Sequence, residues 1–336
     1  MASVVPATDE NLSRAADILR RGELVCFPTE TVYGLGADAS NPKAVRRIFR
    51  AKGRPANHPL IVHLPGLPHL HRWAIDVPES ALTLGRLFWP GPLTLVLRRG
   101  PRVPLEVTGG QETVAVRVPG HPVALRLLAE FGGALAAPSA NRFGRLSPTL
   151  PQHAADELGG EVALVLDGGP SEVGVESTIL DLSGGPPRLL RPGAVSRERL
   201  AEVLACDLSS NGSEMAPRVP GTLPSHYAPN SPVELLRAAK LSARLSGERS
   251  FSVLSRRPAP AEFEGKWLQL PDEPEGYARR LYAALRELDQ IGSPIIIDAP
   301  PREPAWEAVN DRLLRASAPR GQDRDVVEAR NEEEAE

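Results

Sequence analysis

Apolar residues recur at helical or strand-like spacing along most of the chain. After Thr8, a residue type typical of helix N-caps, apolar positions recur three and four residues apart as far as Gly22, which predicts an amphipathic helix. The apolar run at 24–27 predicts a buried strand. The Asn-Pro pair at 41–42 predicts the start of a second helix, and Gly53 predicts its end.

The rest of the first 206 residues contains more strand signals than helix signals. Strands are predicted at 60–64, 93–97, 114–118, 134–137, 163–166, 178–182 and 188–190, and helices at 79–88, 121–130, 151–158 and 196–204. Several strands follow one another across only a Gly/Pro turn. We therefore expect a mixed α/β domain with antiparallel stretches and not a regular βαβ winding.

The composition changes after Cys206. Residues 207–231 are rich in Ser, Pro and Gly and predict an interdomain linker. Beyond the linker, strand-like segments alternate with helical patterns at 274–290 and 304–316, which predicts a smaller doubly wound α/β domain. The expected organisation is a first domain at 1–206, the linker at 207–231, a second domain at 232–320 and an acidic tail at 321–336.

Composition narrows the class of protein. The 336 residues are 41% hydrophobic and 24% charged, values typical of a soluble globular protein with two domains. The formal net charge of -3 argues against a protein held on nucleic acid by its overall field. Two cysteines make no disulfide framework, and no apolar stretch approaches the ~18 residues of a membrane span. We expect a cytoplasmic protein that makes no membrane contact.

One familiar nucleotide motif is matched by its letters only. The segment GLGADA at 34–39 fits G-x-G-x-x-A, a pattern of dinucleotide sites. However, the four residues 28–31 already separate the preceding strand from Val32, ahead of the glycines, and the next helix signal comes only at 41–42, so we disfavour a dinucleotide site. The chain also contains no P-loop, H-E-x-x-H or G-x-S-x-G signature.

Dense polar segments follow several predicted strands, and each has an ordinary structural interpretation. Lys52 and Arg54 suit the C-terminus of a helix, and Ser139 and Asn141 suit a turn. His63 closes a strand without a second ligand at metal-binding spacing, so no metal site made of protein side chains is expected.

Arg117 is harder to explain structurally. It lies at an inward-facing position of the apolar strand VAVRV at 114–118. A guanidinium in such surroundings must find an anion, because an unpaired buried charge is costly. The sequence therefore indicates an anion beside Arg117.

Taken together, these segments resemble a known family. The K-x-R and S-x-N motifs (Lys52, Arg54, Ser139 and Asn141), with PTETVYGLGADA at 28–39 and GVESTI at 174–179, resemble the Sua5/YrdC/YciO family over nearly the whole chain. The HYAP segment at 226–229 is similar to the long, Sua5-type form. The resemblance implies a YrdC-like catalytic domain with a mixed twisted sheet, a linker, and a smaller Rossmann-like Sua5 domain.

The resemblance also implies an activity. Members of this type make L-threonylcarbamoyladenylate and pyrophosphate from L-threonine, bicarbonate or CO2, and ATP, the first step of N6-threonylcarbamoyladenosine (t6A) synthesis in tRNA. Such nucleotidyl transfer depends on positioning and cationic stabilisation. We expect Mg2+ to enter with ATP, a downstream t6A transferase complex to be a partner, and tRNA not to bind tightly.

The same resemblance implies roles for individual residues. Lys52 and Arg54 are expected to be catalytic. The residues expected to bind ATP are Arg54, His58, Thr113, Ser139, Asn141, Ser147, Arg191 and Tyr227. Those expected to bind L-threonine are Thr31, His63, Arg117, Ala137 and Ser177.

Residues 58 and 227 carry further implications. Asn57-His58 stands where we expect Asp-Asn in relatives, and a neutral imidazole replaces one amide hydrogen bond but not both. Tyr227 lies in the predicted linker, so its role implies that the linker acts as a lid that excludes water from labile intermediates.

Two other functions stay open from the sequence. A related carbamoyl-transferring maturation factor shares the YrdC fold, but the paired CxxC zinc motifs of those proteins are missing here. A noncatalytic RNA-binding YrdC-like module is the second alternative. The near-neutral charge argues against it, since phosphate contacts need a more basic face.

Overall fold

The computed structural model describes residues 3–210, 216–246 and 250–319. It divides into two compact units, Met1–Phe143 with Ser147–Thr222, and Gly144–Leu146 with Leu223–Glu336. The division after Thr222 falls within the predicted linker. The predicted acidic tail at 321–336 and linker positions 211–215 lie outside the described residues.

The first unit contains helices and short strands in alternation. Its helices are α1 (Asp9–Arg20), α2 (Pro42–Lys52), α3 (Glu79–Phe88), α4 (Leu105–Thr108), α5 (Pro122–Phe131), α6 (Pro151–Leu158) and α7 (Arg197–Leu204), with a 3-10 helix at Leu67–Arg72. Its strands are β1 (Ser3–Pro6), β2 (Val25–Phe27), β3 (Gly34–Asp38), β4 (Ile61–His63), β5 (Ala74–Ile75), β6 (Leu93–Arg99), β7 (Thr113–Arg117), β8 (Leu135–Ala136), β9 (Leu164–Asp167), β10 (Thr178–Asp181), β11 (Arg188–Arg191) and β12 (Ser209–Ser210).

These strands form one mixed sheet. Its order is β1-β9-β2-β3-β8-β4-β7-β6-β10-β11-β12, and β5 pairs with β6. Parallel pairs such as β4 with β7 alternate with antiparallel pairs such as β2 with β3. Strands β10 and β11, joined by the short Gly/Pro-rich turn, are antiparallel. The expectation of a mixed sheet is confirmed.

Local signals explain the first two helices of the chain. The Thr8 hydroxyl accepts a hydrogen bond from the Asn11 N–H and caps α1. The Asn41 side chain caps α2 in the same way, and Pro42 occupies its first turn. Gly53 has a φ of 61°, the left-handed conformation that ends helices. Both predicted helices are confirmed.

Apolar side chains cover both faces of the sheet. On one face α1 and α5 pack over β2 and β9, with Leu19, Phe27 and Leu127 fully buried. On the other face α2, α3, α6 and α7 contribute to a larger core that includes Ile48 and Val116. Helices therefore cover much of the sheet, as expected for an α/β domain, and a separate apolar cluster that includes Ile61, Ala115 and Val219 lies beside β4 and β7.

The second unit is a small α/β domain. Its strands are β13 (Val233–Leu236), β14 (Ser252–Ser255), β15 (Trp267–Gln269) and β16 (Ile295–Asp298), and its helices are α8 (Ala238–Leu245), α9 (Pro274–Asp289) and α10 (Glu307–Ala316), with a 3-10 helix at Pro304–Trp306. The strands pair in parallel in the order β13-β16-β14-β15. This parallel sheet agrees with the Rossmann-like expectation. None of the helices in the described ranges is long and apolar enough to cross a membrane.

Candidate active site

Arg117 and His63 lie side by side at the ends of two parallel strands. They are register partners of β7 and β4, and 3% and 4% of their surfaces are exposed. Arg117 Nε donates to the Gly91 carbonyl across 3.1 Å. This hydrogen bond to the main chain helps to fix the orientation of the guanidinium.

The PTET segment after β2 supplies the partners of Arg117. Nη1 of Arg117 donates to the Thr31 hydroxyl across 3.0 Å, and Nη2 donates to Oε1 of Glu30 across 2.6 Å. The Thr31 hydroxyl also lies 2.9 Å from that of Thr29. The anion that the sequence indicated beside Arg117 is therefore, in this structure, the carboxylate of Glu30.

His63 is a neutral imidazole at neutral pH. Burial, and next the charge of Arg117, lower the pKa of His63 to about 3. Its ring meets the edge of Phe27, with centroids 6.0 Å apart, and Nδ1 lies 3.3 Å from the Ile61 carbonyl. A neutral ring beside a guanidinium can donate or accept one hydrogen bond without adding charge.

The other two residues predicted to bind threonine lie on neighbouring segments. Ala137 follows β8, and its N–H donates to the Ile61 carbonyl across 2.9 Å. The Ser177 hydroxyl, just before β10, lies 2.7 Å from the hydroxyl of Thr94. Ser177 is also bound by Arg191, which donates to its carbonyl and to its hydroxyl.

Lys52 meets the S-x-N segment directly. Its ammonium donates to the backbone carbonyls of Ser139, across 2.6 Å, and Asn141. Burial, and next the charge of Arg54, lower the pKa of Lys52 to about 7. The K-x-R and S-x-N motifs, almost ninety residues apart in sequence, are thus in contact through Lys52.

Arg54 and His58 converge on one aromatic ring. The Arg54 guanidinium carbon lies 5.6 Å from the centroid of Phe143, and Nη2 donates to the Pro59 carbonyl across 2.9 Å. The His58 ring meets the edge of Phe143 at 5.3 Å. Burial, and next the charge of Arg54, lower the pKa of His58 to about 4. His58 is therefore neutral at pH 7, in agreement with the neutral imidazole assumed from the sequence.

Ser147 and Arg191 connect the remaining loops of the first unit. The Ser147 hydroxyl donates to Oε1 of Glu176, in the GVESTI segment. Arg191 Nη1 donates to the Pro220 carbonyl across 2.9 Å, close to the end of this unit. Hydrogen bonds therefore connect the predicted ATP residues Ser147 and Arg191 to the segment that carries the predicted threonine residue Ser177.

The other two predicted ATP residues belong to different elements. Thr113 begins β7, at the opposite end of the strand from Arg117. Tyr227 belongs to the second unit, where it is 1% exposed and packs against His226 and Tyr282. Their predicted roles in ATP binding stay predictions.

Sequence reasoning missed two buried acids of this region, Glu30 and Glu176. Both lie inside the motifs that carried the resemblance, PTET and GVESTI. The signal for Glu30 was available, because a buried arginine requires an anion and the neighbouring motif contains one. Phe143, which contacts both Arg54 and His58, was also missed, since an aromatic residue in a polar loop carries no specific signal.

The GLGADA segment is not a phosphate-binding turn. Gly34–Asp38 form strand β3, which pairs with β2 on one side and β8 on the other. A Cβ at Gly36 would lie 2.8 Å from the Phe27 ring, so glycine is needed here for close packing. The decision against a dinucleotide site agrees with this strand.

The described residues contain no obvious cluster of metal-binding side chains. Within residues 3–210, 216–246 and 250–319, no three His, Cys, Asp or Glu side chains converge as a metal site.

Comparisons with known proteins agree with the resemblance. The family model of Sua5, YciO and YrdC, described as "Telomere recombination", matches residues 17–193, and the model described as "Threonylcarbamoyl-AMP synthase, C-terminal domain" matches residues 195–318. The chain belongs to the Sua5 family of threonylcarbamoyl-AMP synthases. The match of both models places a Sua5 C-terminal domain after the YrdC-like domain.

Individual relatives extend the match over most of the chain. The threonylcarbamoyl-AMP synthase of Pyrococcus abyssi is 40% identical over 90% of this chain and 93% of that protein, and that of Bacillus subtilis is 39% identical over 93% and 94%. The crystal structure of P. abyssi Sua5 complexed with L-threonine has a TM-score of 0.85, 39% identity, and coverage of 92% of this chain and 95% of that chain. These matches favour the synthase over the two alternatives that the sequence left open.

Proposed function

We propose that this chain condenses L-threonine, bicarbonate or CO2, and ATP into L-threonylcarbamoyladenylate and pyrophosphate. The amine nitrogen of threonine first bonds to the carbon of CO2 with loss of a proton, or to that of bicarbonate with loss of water, and becomes a carbamate. A carbamate oxygen then bonds to the α-phosphorus of ATP, and the bond to pyrophosphate breaks. The observation that carries the proposal is the buried Arg117, held beside Thr31 and His63 in a chain so similar to a Sua5 solved with L-threonine.

The resemblance implies the residues of the threonine end of the site, and their charge and hydrogen-bonding capacity support this assignment. A guanidinium matches a carboxylate, and the hydroxyl of Thr31 with the neutral ring of His63 can bind the polar ends of threonine. Ala137 and Ser177 complete the set that the resemblance implies. Burial of these groups supports recognition of a small substrate shielded from water.

The nucleotide end is assigned to Arg54, His58, Ser139, Asn141, Ser147 and Arg191, with Thr113 and Tyr227 as further predicted contacts. Arg54 and Arg191 are buried cations, which suits phosphate groups in a site without a P-loop. Phosphoryl transfer asks mainly for orientation and charge stabilisation, and this residue set offers both.

We further propose that the product enters t6A synthesis in the cytoplasm through a downstream transferase complex, and that tRNA does not bind this chain tightly. The adenylate is a mixed anhydride that water would hydrolyse, so a consuming enzyme must take it up. The net charge of -3 supports weak binding of nucleic acid.

Pyrophosphate release by the purified chain tests the proposal. ATP, L-threonine and bicarbonate are supplied together, and then each is omitted in turn. Release that requires all three is the expected result. Release that is indifferent to threonine, or no release at all, would contradict the proposed function and favour a carbamoyl-transfer or RNA-binding role.

A further inference from the structure

Lys52 is bound to one distant segment by both its backbone and its side chain. Its ammonium donates to the carbonyls of Ser139 and Asn141, and its own carbonyl accepts the N–H of Phe143 across 2.8 Å. Lys52 is the last residue of α2 and is 3% exposed. Three hydrogen bonds thus connect one residue to the five-residue segment 139–143.

This segment needs such support because it is not part of a regular strand. It follows β8, and its backbone meets the first residue of β3 at the Gly34–Ser139 bridge and the preceding loop through the bond from Ala140 N–H to the Tyr33 carbonyl. Buried carbonyl groups require hydrogen-bond donors, and a charged donor makes the stronger bond. Lys52 supplies that donor to two carbonyls of the segment.

We propose that Lys52 is a positioning residue that clamps segment 139–143 and acts on the nucleotide through Ser139 and Asn141, without contacting the triphosphate. The proposal rests on the proposed function for the identity of the nucleotide. Two of the three ammonium N–H groups already have backbone acceptors, and the side chain is enclosed.

The test compares Lys52→Met and Lys52→Gln with Lys43→Met, a control at the exposed start of the same helix. Amide hydrogen exchange over residues 137–145 is measured in the protein without ligand, and binding constants are measured for ATP and for AMP. Loss of these hydrogen bonds should accelerate exchange in this segment about tenfold or more. The binding of ATP and the binding of AMP should both weaken by the same factor, about tenfold to a hundredfold. The control should change neither.

Other outcomes would overturn the proposal. A loss of ATP affinity with unchanged AMP affinity would mean that Lys52 contacts the β- or γ-phosphate, and unchanged exchange would mean that it is not a clamp. The Gln variant keeps an N–H donor and decides the case if the Met variant does not fold. A wild-type chain that binds neither nucleotide would contradict the proposed function alone, because the exchange measurement needs no ligand.

Discussion

Arg117 and Glu30 form a buried ion pair, with Nη2 and Oε1 2.6 Å apart and 4% and 9% of the two side chains exposed. The other donors of Arg117 bind Thr31 and the Gly91 carbonyl, so three groups fix the plane of its guanidinium. The second carboxylate oxygen of Glu30 is buried and has no hydrogen-bond partner in the part of the chain that is described. The pair presents adjacent opposite charges beside the proposed threonine site.

Arg117→Lys tests whether this fixed plane matters. Lysine keeps the charge but cannot donate to Glu30, Thr31 and Gly91 in one geometry. We expect the KM for threonine to rise about tenfold to a hundredfold, since each lost bond to a charged group is worth about 1.5–3 kcal/mol, while ATP affinity stays within about twofold. Steady-state pyrophosphate release measures the first quantity and calorimetry the second.

Arg98→Lys is the matched control. Arg98 lies on the neighbouring strand β6, and its ion pair with Asp76 is exposed to solvent at both ends. Exposed pairs contribute about 1 kcal/mol or less. If Arg117→Lys changes the KM for threonine no more than Arg98→Lys does, Arg117 does not take part in threonine recognition.

Valine is expected to be a very poor substrate. It matches threonine in size but lacks the hydroxyl, which would leave polar groups such as those of Thr31 and His63 unpaired in a buried site. Sites of this kind discriminate by about 10⁴-fold in kcat/KM. Pyrophosphate release with valine in place of threonine measures the ratio. A ratio near 10² would indicate an apolar pocket that does not bind the hydroxyl.

Stability should fall at mildly acidic pH because of His63. An unfolded histidine has a pKa of about 6.5, whereas burial and Arg117 lower that of His63 to about 3. Between these values the unfolded chain binds more protons, so the free energy of unfolding decreases as pH falls through the window. From pH 7.5 to 5 the loss from this residue is about 2 kcal/mol.

Urea titrations at pH 7.5 and 5 check this expectation. His63→Gln should lose less stability between the two pH values than the wild type, and His71→Gln, at an exposed position, should follow the wild type. Equal pH dependence in all three proteins would mean that His63 is protonated in the folded state. His58, whose pKa is lowered to about 4, acts in the same direction.

Tyr227→Phe tests the lid function predicted for the linker. The ring packs against Tyr282 with centroids 5.8 Å apart, and Arg312 lies over its face at 5.2 Å. Phenylalanine preserves these contacts, so we expect a stability change within about 1 kcal/mol. If the hydroxyl helps to exclude water, ATP turnover without accumulated adenylate should rise severalfold. Unchanged kinetics and unchanged loss of intermediate would count against the lid.

Local sequence signals located most elements of the fold. Caps at Thr8 and Asn41 and the stop at Gly53 act within one turn, so they are readable without tertiary information. Strand β1 (Ser3–Pro6) was missed because it is short and depends on pairing with β9. Strand β3 was missed because Gly34 and Gly36 are poor strand formers in isolation. Its pairing with β2 and β8 overrides that propensity.

The candidate site was only partly predictable, for a similar reason. The motifs identified Lys52, Ser139 and Asn141 as one set of residues. They did not predict that the Lys52 ammonium donates to the Ser139 and Asn141 carbonyls, because every residue has a main-chain carbonyl and the sequence does not show which one is bound. The need for an anion at Arg117 followed from burial alone. Its partner Glu30 required the three-dimensional arrangement of PTET and β7.

Gly36→Ala connects packing with the threonine site. A Cβ at this position would lie 2.8 Å from Phe27 Cε1, and Phe27 in turn packs edge-on against His63. The ring must shift in a fully packed core, which costs about 1–3 kcal/mol. We expect this loss in urea titrations together with weaker threonine binding by calorimetry. Gly160→Ala, where nothing lies within 4 Å, is the control and should change neither. If stability falls but threonine affinity is unchanged, the position of the Phe27 ring does not control the orientation of His63, and Gly36 has a packing role only.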